Sequence, residues 1–294
     1  MITRAYVFLL LTALVWASNA VAGRLAVGHV SPFVLTTLRW AIAVVAVGLV
    51  GHRRLRHDWP VVRRHLPMLA AMGTVGFTLF NATFYTSARY TTALNMLIIQ
   101  AGMPLVIFLA NFVLFRTRVS AAQFAGFALT LAGVLTVAAQ GSLGVLLNLH
   151  LNHGDALMLL ATTFYGLYSV SLRWMPEIHL LSFMIVLSVA ALITSLPFSG
   201  FEIATGAAHG PDTAGLAIAL FTGIFPSLVA QMSFAAGNRL IGSNRAGLFM
   251  NFVPVFGAIL SVLVLGERLK PYHAAALVLV VGGVALAQKT RRPA

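Results

Sequence analysis

Side-chain amides are uncommon inside long apolar runs, and this sequence sets one at each of two points 150 residues apart, Asn81 and Gln231. Phe77, Asn81 and Phe84 fall at i, i+4 and i+7, so the spacing puts them on one helical face. Their counterparts are Ser227, Gln231 and Phe234. An amide buried in hydrocarbon is costly unless it is hydrogen-bonded or wet. The pair therefore either faces a polar cavity and binds an amino or carboxylate group, or bonds helix to helix. Trp16 and Tyr165 are matched at an offset of 149. Trp16 shares a face with Asn19, and Tyr165 with Tyr168. Rings with polar tips suit a pocket for an amphipathic, ring-bearing solute, or else ordinary packing. Met96, Gln100 and Met103 line one face of another run, as do Gly247, Asn251 and Pro254 in its counterpart. Pro104 and Pro254 each free a carbonyl in mid-run, which is tolerated where backbone is packed or lines a cavity. They read as paired kinks, serving either gating or static fit. Arg39 leaves three readings: pairing with a solute carboxylate, snorkelling outward, which is preferred over that pairing, or a structural role. All of this is the chemistry of reversible recognition.

The matches belong to a longer register. At an offset of 150, Gly73 falls on Gly223, Arg89 on Arg239, Pro104 on Pro254, Arg118 on Arg268 and Gly133 on Gly283. Hydrophobic residues make up 60% of the chain and charged residues 9%, too few charges to cover a water-soluble surface of this size. The apolar runs are long enough to cross a hydrocarbon core of about 30 Å as helices. The pattern predicts ten spans, roughly 5–27, 33–51, 66–87, 92–115, 121–139, 154–174, 179–199, 213–236, 244–265 and 272–289. The expected fold class is an all-α membrane protein with ten transmembrane helices, arranged as two five-helix repeats around a central cavity. The first repeat takes 1–139, a linker 140–153, the second repeat 154–289 and a tail 290–294. Five spans per copy means that the second copy enters the membrane from the opposite side, so the repeats are expected to be inverted.

Fourteen of the nineteen Lys and Arg residues fall on one side of this scheme and four on the other, with Arg39 inside a span. The positive-inside bias then puts both termini in the cytoplasm and the linkers near 140–153 and 200–212 outside. The same bias accounts for the +13 charge without nucleic acid. Residues 5–23 read as a retained first span rather than a cleaved signal. The absence of cysteine excludes disulfides and thiolate metal sites. The six acidic residues avoid span centres, which argues against proton coupling through a mid-membrane carboxylate and against strongly cationic cargo. They form no Asp/Glu cluster of the kind a membrane transferase needs, so no enzyme, metal or cofactor is expected.

Trp16-Ala17-Ser18-Asn19, Pro32 followed by Arg39, Leu265-Gly266-Glu267-Arg268-Leu269 and Gly282-Gly283 resemble the drug/metabolite transporter superfamily in its two-domain EamA branch. The first copy departs at Arg116-Thr117-Arg118, with Thr where the family often has Glu, which warns against a transport role for Glu267. The resemblance is strongest to bacterial exporters of aromatic and other neutral amino acids. It implies a small-molecule cargo of amino acids and analogues, alternating access, an inner-membrane location and a site between the copies. Facilitated movement is the simplest mechanism consistent with the sequence, and one chain suffices to enclose a site. The alternative cargo is a sugar phosphate or nucleotide sugar, which would need several cationic groups in the cavity.

Overall fold

A computed structural model describes residues 2–116, 120–142, 152–241 and 249–289. Among them the chain is all helical. Seven helices are long and apolar enough to cross a membrane, and three shorter apolar helices, Ala121–Val137, Phe252–Leu265 and Pro271–Ala287, accompany them. The central part of the linker, the start of the ninth expected span and the tail lie outside the described residues.

The first family of helices is α1 (Ile2–Leu25), α2 (Pro32–Arg64), α3 (Leu66–Gly73), α4 (Phe80–Ser87), α5 (Ala93–Ala101), α6 (Met103–Phe115) and α7 (Ala121–Ala138). The second is α8 (His153–Ser171), α9 (Leu180–Ala204), α10 (Thr213–Ile224), α11 (Ala230–Ile241), α12 (Phe252–Leu265) and α13 (Pro271–Lys289). Helix α2 runs well beyond the expected end at residue 51. No Gly or Asn turn signal interrupts its basic stretch, and Pro60 sits inside the helix. The extension is anchored by Val62, which is fully buried, and by Asp58, whose carboxylate accepts the His179 N–H at 2.8 Å. This end of the bundle is called the basic end, and the end carrying Leu25 and Pro32 the far end.

Two spans are not continuous α-helix. A π-helical segment, Thr74–Leu79, joins α3 to α4, and another, Phe225–Val229, joins α10 to α11. They coincide under the 150-residue offset, with Gly76 in the first where Pro226 stands in the second. Pro226 has no N–H to give the carbonyl of Thr222, and its ring crowds that carbonyl. The Ser227 hydroxyl takes the vacated place, donating to the Thr222 carbonyl at 2.9 Å. The break near Pro104 is sharper than a kink. Gly102 separates α5 from α6, and Pro104 enters the first turn of α6, where its missing N–H costs nothing. Pro254 likewise enters the first turn of α12.

Packing pairs each helix of one set with the other. α2 lies against α9 and α7 against α13. α1 packs on α11 and α12, while α8 packs on α4 and α6. Small residues let the α7–α13 pair touch at the backbone, with Gly126 facing Gly283.

At the far end, carboxylates take up N–H groups at helix starts; α2 lacks a local side-chain cap, whereas at α5 Thr92 already caps the Asn95 N–H. Ser31 makes no side-chain cap for α2. Instead Glu202 accepts the N–H groups of Phe33 and Val34 at 3.1 and 3.2 Å. Glu267 accepts those of Ala93 and Leu94 at 2.8 and 3.0 Å, opening α5. Negative charge there also suits the helix dipole. Asp212 caps α10 through the Gly215 N–H, which with His29 holds its carboxyl below the usual range. That cap is intact above the ordinary carboxylate pKa and is lost as pH falls through the lowered value. Glu267→Ala should lower the melting temperature in detergent, with a loss of about 2 kcal/mol expected for charge-assisted bonds of this kind. Glu267→Gln, which keeps one acceptor, should fall between Ala and the parent chain. Equal melting of all three would contradict the capping role.

Candidate functional site

Between the two sets of helices lies a cavity of about 900 Å³. Its floor is formed by Trp16 and Asn19 of α1 with Arg39 and Trp40 of α2. Its walls come from both π-helical segments, through Gly76 and Phe77 in one and Pro226 and Ser227 in the other. It reaches the basic end, where the exposed Arg173 stands at its mouth.

Ten of the residues singled out by spacing meet on this surface. Trp16, Asn19, Arg39, Phe77, Asn81 and Gln100 come from the first set. Tyr165, Tyr168, Ser227 and Gln231 come from the second. Pro254 lines it as well. Phe84 does not. It is a core side chain, 1% exposed, packed on Phe80 and Tyr85. The i, i+4, i+7 count assumes an α-helical register, and the π-helical turn that begins at Thr74 alters that register. The side chains of Asn251 and Pro104 lie outside the described residues.

The aromatic wall is continuous. Trp40 stacks on Phe77 at 4.5 Å between centroids and 1° between planes. Phe77 continues to Tyr168 at 5.4 Å, Tyr168 to Tyr165 at 5.3 Å, and Tyr165 to Phe80 at 5.0 Å. Across the cavity Trp16 lies on Phe234 and donates its indole N–H to the Pro226 carbonyl at 3.3 Å. Trp40, Phe80 and Phe234 were missed as cavity residues, although Phe234 was visible as the repeat partner of Phe84.

Arg39 is 6% exposed and does not snorkel. Its Nε donates to Ser227 Oγ at 3.0 Å, and its Nη1 donates to Asn19 Oδ1 at 3.0 Å and to the Tyr85 hydroxyl at 2.5 Å. These three partners hold it inward more effectively than distant water would. All three are neutral, and among the described residues no carboxylate lies within ion-pair distance of it. A buried charge without a counter-charge carries a desolvation cost of several kcal/mol. Opposite it, Asn81 donates its amide N–H to the Phe77 carbonyl at 2.6 Å, while its Oδ1 is buried and unpartnered. The indole N–H of Trp40 is also unpartnered. The cavity thus presents a cation and stacked rings, with an orphan acceptor and an orphan donor buried in the residues of its wall.

The acidic residues lie elsewhere. Asp155, 1% exposed in the first turn of α8, accepts from Thr91 at 2.5 Å and from Asn95 at 3.2 Å. Asn95 in turn bonds His273 at 3.0 Å. This network ties α8, α5 and α13 together at the far end and does not line the cavity.

The profile of the EamA-like transporter family matches the chain twice, at residues 3–139 and 152–288. The chain belongs to the EamA-like transporter family. It is therefore a multi-pass membrane transporter of small molecules and not an enzyme. It is similar to the uncharacterized transporters YetK and YyaM of Bacillus subtilis. YetK is 23% identical, covering 95% of this chain and 85% of that protein, and YyaM is 28% identical, covering 88% and 85%. A probable terminal-alkyne amino-acid exporter of Streptantibioticus cattleyicolor is 24% identical, covering 97% of this chain and 93% of the relative. A crystal structure at 22% identity superposes with a TM-score of 0.66, covering 98% of this EamA chain and 99% of its own, and shares the fold.

Proposed function

We propose that this EamA transporter exports aromatic and other neutral amino acids, or close analogues, from the cytoplasm by facilitated alternating access. The observation that carries the reading is the floor of the cavity. An amino acid is a zwitterion, and the floor offers a cation to its carboxylate. The Arg39 guanidinium has one terminal nitrogen, Nη2, with no hydrogen-bond partner among the described residues, and suits a carboxylate. The buried Asn81 Oδ1, without a partner among the described residues, suits an ammonium after a side-chain rotation brings it to the cavity surface. The ring wall from Trp40 to Tyr165 suits an apolar or aromatic side chain. Gln231, which neighbours the Tyr165 hydroxyl, supplies a second amide. A phosphate cargo would require several cations, and the cavity lining offers Arg39 at the floor and Arg173 at the mouth. The name of the Streptantibioticus relative agrees with an amino-acid cargo.

The architecture behind this reading is ten transmembrane helices in two inverted five-helix repeats, 1–139 and 154–289. The packing supports it: exchanging the two sets turns the contacts of α1 with α11 and α12 into those of α8 with α4 and α6. The matched breaks before Pro104 and Pro254 are where the halves would flex against each other. The basic end, which carries the mouth of the cavity, is assigned to the cytoplasm by its positive charge, with both termini there. The monomer then encloses the whole site.

The test is counterflow of labelled phenylalanine in liposomes without a proton gradient. Saturable uptake, blocked by unlabelled tryptophan or methionine, is expected. Trp16→Ala and Gln231→Ala should each reduce it at least tenfold while the protein still inserts and melts normally. Normal flux in both variants would overturn the site. Competition by a nucleotide sugar and not by phenylalanine would overturn the cargo.

A further inference from the structure

Arg39 lies at the boundary of two cavities. The central one ends on Arg39 and Asn19. Beyond them, toward the far end, is a second cavity of about 220 Å³, lined by Leu35 and Tyr85 and, near its rim, by Ser31, Arg89 and His209. Tyr85 lines the second cavity and not the first, while Arg39 and Asn19 line the first and not the second. These three residues form a closed hydrogen-bonded triangle. Arg39 Nη1 donates to Tyr85 and to Asn19, and the Tyr85 hydroxyl donates to Asn19 Oδ1 at 3.1 Å. Gly23 makes room for it, because a Cβ there would stand 3.1 Å from Tyr85 Cδ1. One layer of side chains therefore separates the central cavity from the far-end cavity.

We propose that the Arg39–Tyr85–Asn19 triangle is the far-end gate of the transport path, and that the carboxylate of the cargo is what opens it. The proposal rests on the amino-acid reading above. A carboxylate accepts from a guanidinium through two parallel N–H···O bonds, each roughly twice as strong as a bond to a neutral acceptor. Nη2 is available for one of them, and Nη1 supplies the other by leaving Tyr85 and Asn19. The same event that seats the carboxylate thus removes the Arg39 bond to the tyrosine that closes the far-end cavity, leaving Tyr85 held only by Asn19 Oδ1. Arg89 and His209 are the next basic side chains that the anion meets on the way out. The gate opens when it is loaded and recloses on its own hydrogen bonds when it is empty.

The cysteine-free sequence permits a direct test. A single cysteine, Ala101→Cys, lines the central cavity. A membrane-impermeant thiol reagent is applied to the face carrying His209, in vesicles of one orientation, and labelling from the opposite face confirms folding of each variant. Labelling from the His209 face should be slow in the parent background. Tyr85→Phe should speed it about tenfold, since it removes two hydrogen bonds. Asn19→Asp gives Arg39 a permanent carboxylate partner and should leave labelling unresponsive to cargo. Phenylalanine should speed labelling of the parent, and phenylalaninol, which keeps the ring and amine without the carboxylate, should not. Unchanged labelling in Tyr85→Phe overturns the gate. Faster labelling in Tyr85→Phe, with equal effects of phenylalanine and phenylalaninol, overturns the carboxylate key. Should phenylalanine show neither counterflow nor an effect on labelling, the cargo reading fails while the Tyr85→Phe result still decides the gate.

Discussion

Arg39→Met should abolish amino-acid counterflow and leave the protein as stable as before, or more so. Loss of one partner in a desolvated, hydrogen-bonded charge pair typically costs 2–5 kcal/mol, so binding of a carboxylate cargo should weaken by roughly 30-fold to several thousand-fold. Stability should move the other way, because apolar replacement of a buried charge is often neutral or favourable. The partners left behind are not stranded. Tyr85 still donates to Asn19, and Ser227 still donates to the Thr222 carbonyl. Counterflow and thermal melting on the same preparation would check both halves. Retained flux would remove Arg39 from the site, and a collapse in melting temperature would make it a structural residue.

The second large effect concerns two adjacent glycines that the sequence presents as equals. Gly283→Val should fail to give a well-folded protein, and Gly282→Val should behave almost like the parent. A Cβ at residue 283 would stand 2.4 Å from the Gly126 carbonyl oxygen, 2.6 Å from Thr130 Oγ1 and 2.7 Å from the Thr130 backbone nitrogen. Two of these are backbone atoms that cannot turn away, so α7 and α13 would have to part. Overpacking of this kind costs about 1–3 kcal/mol and sometimes more, and parted membrane helices also lose their close van der Waals contact. At Gly282 the added group meets nothing within 4 Å. Size-exclusion profiles and melting in detergent distinguish the two, and equal behaviour would contradict the close approach.

How far the sequence revealed this molecule varied with the physics involved. Long apolar runs report burial in lipid directly, so most helices lie close to where hydropathy puts them. The basic stretch after residue 51 was misread as a connection because charge reports exposure and not backbone conformation, and α2 continues through it in water. The amides and aromatics at Asn81, Gln231, Trp16 and Tyr165 were legible because polar groups in apolar runs are expensive and need a partner. Phe84 was misplaced for a reason that counting could not detect. The π-helical turn depends on where Gly76 and Pro226 sit in the packed bundle, and it alters the register on which the count relied. Tyr85 was missed, although it stands at i+8 from Phe77 and i+4 from Asn81. What marks it is its bond to Arg39, on a helix distant in sequence.

The two glutamates that close helix starts at the far end both belong to the second family unit, and both act on the first. Glu202 completes α2 and Glu267 completes α5. At the position corresponding to Glu267, the first unit has Thr117, which carries no carboxylate. At the far end these carboxylates pass from the second unit to the first, whereas at the basic end Asp58 of the first unit accepts the His179 N–H that opens α9 of the second. Two copies of the first half joined end to end would bring no glutamate to either start of α5. The two family units are therefore complementary parts and not interchangeable copies, each supplying a carboxylate to a helix start of the other.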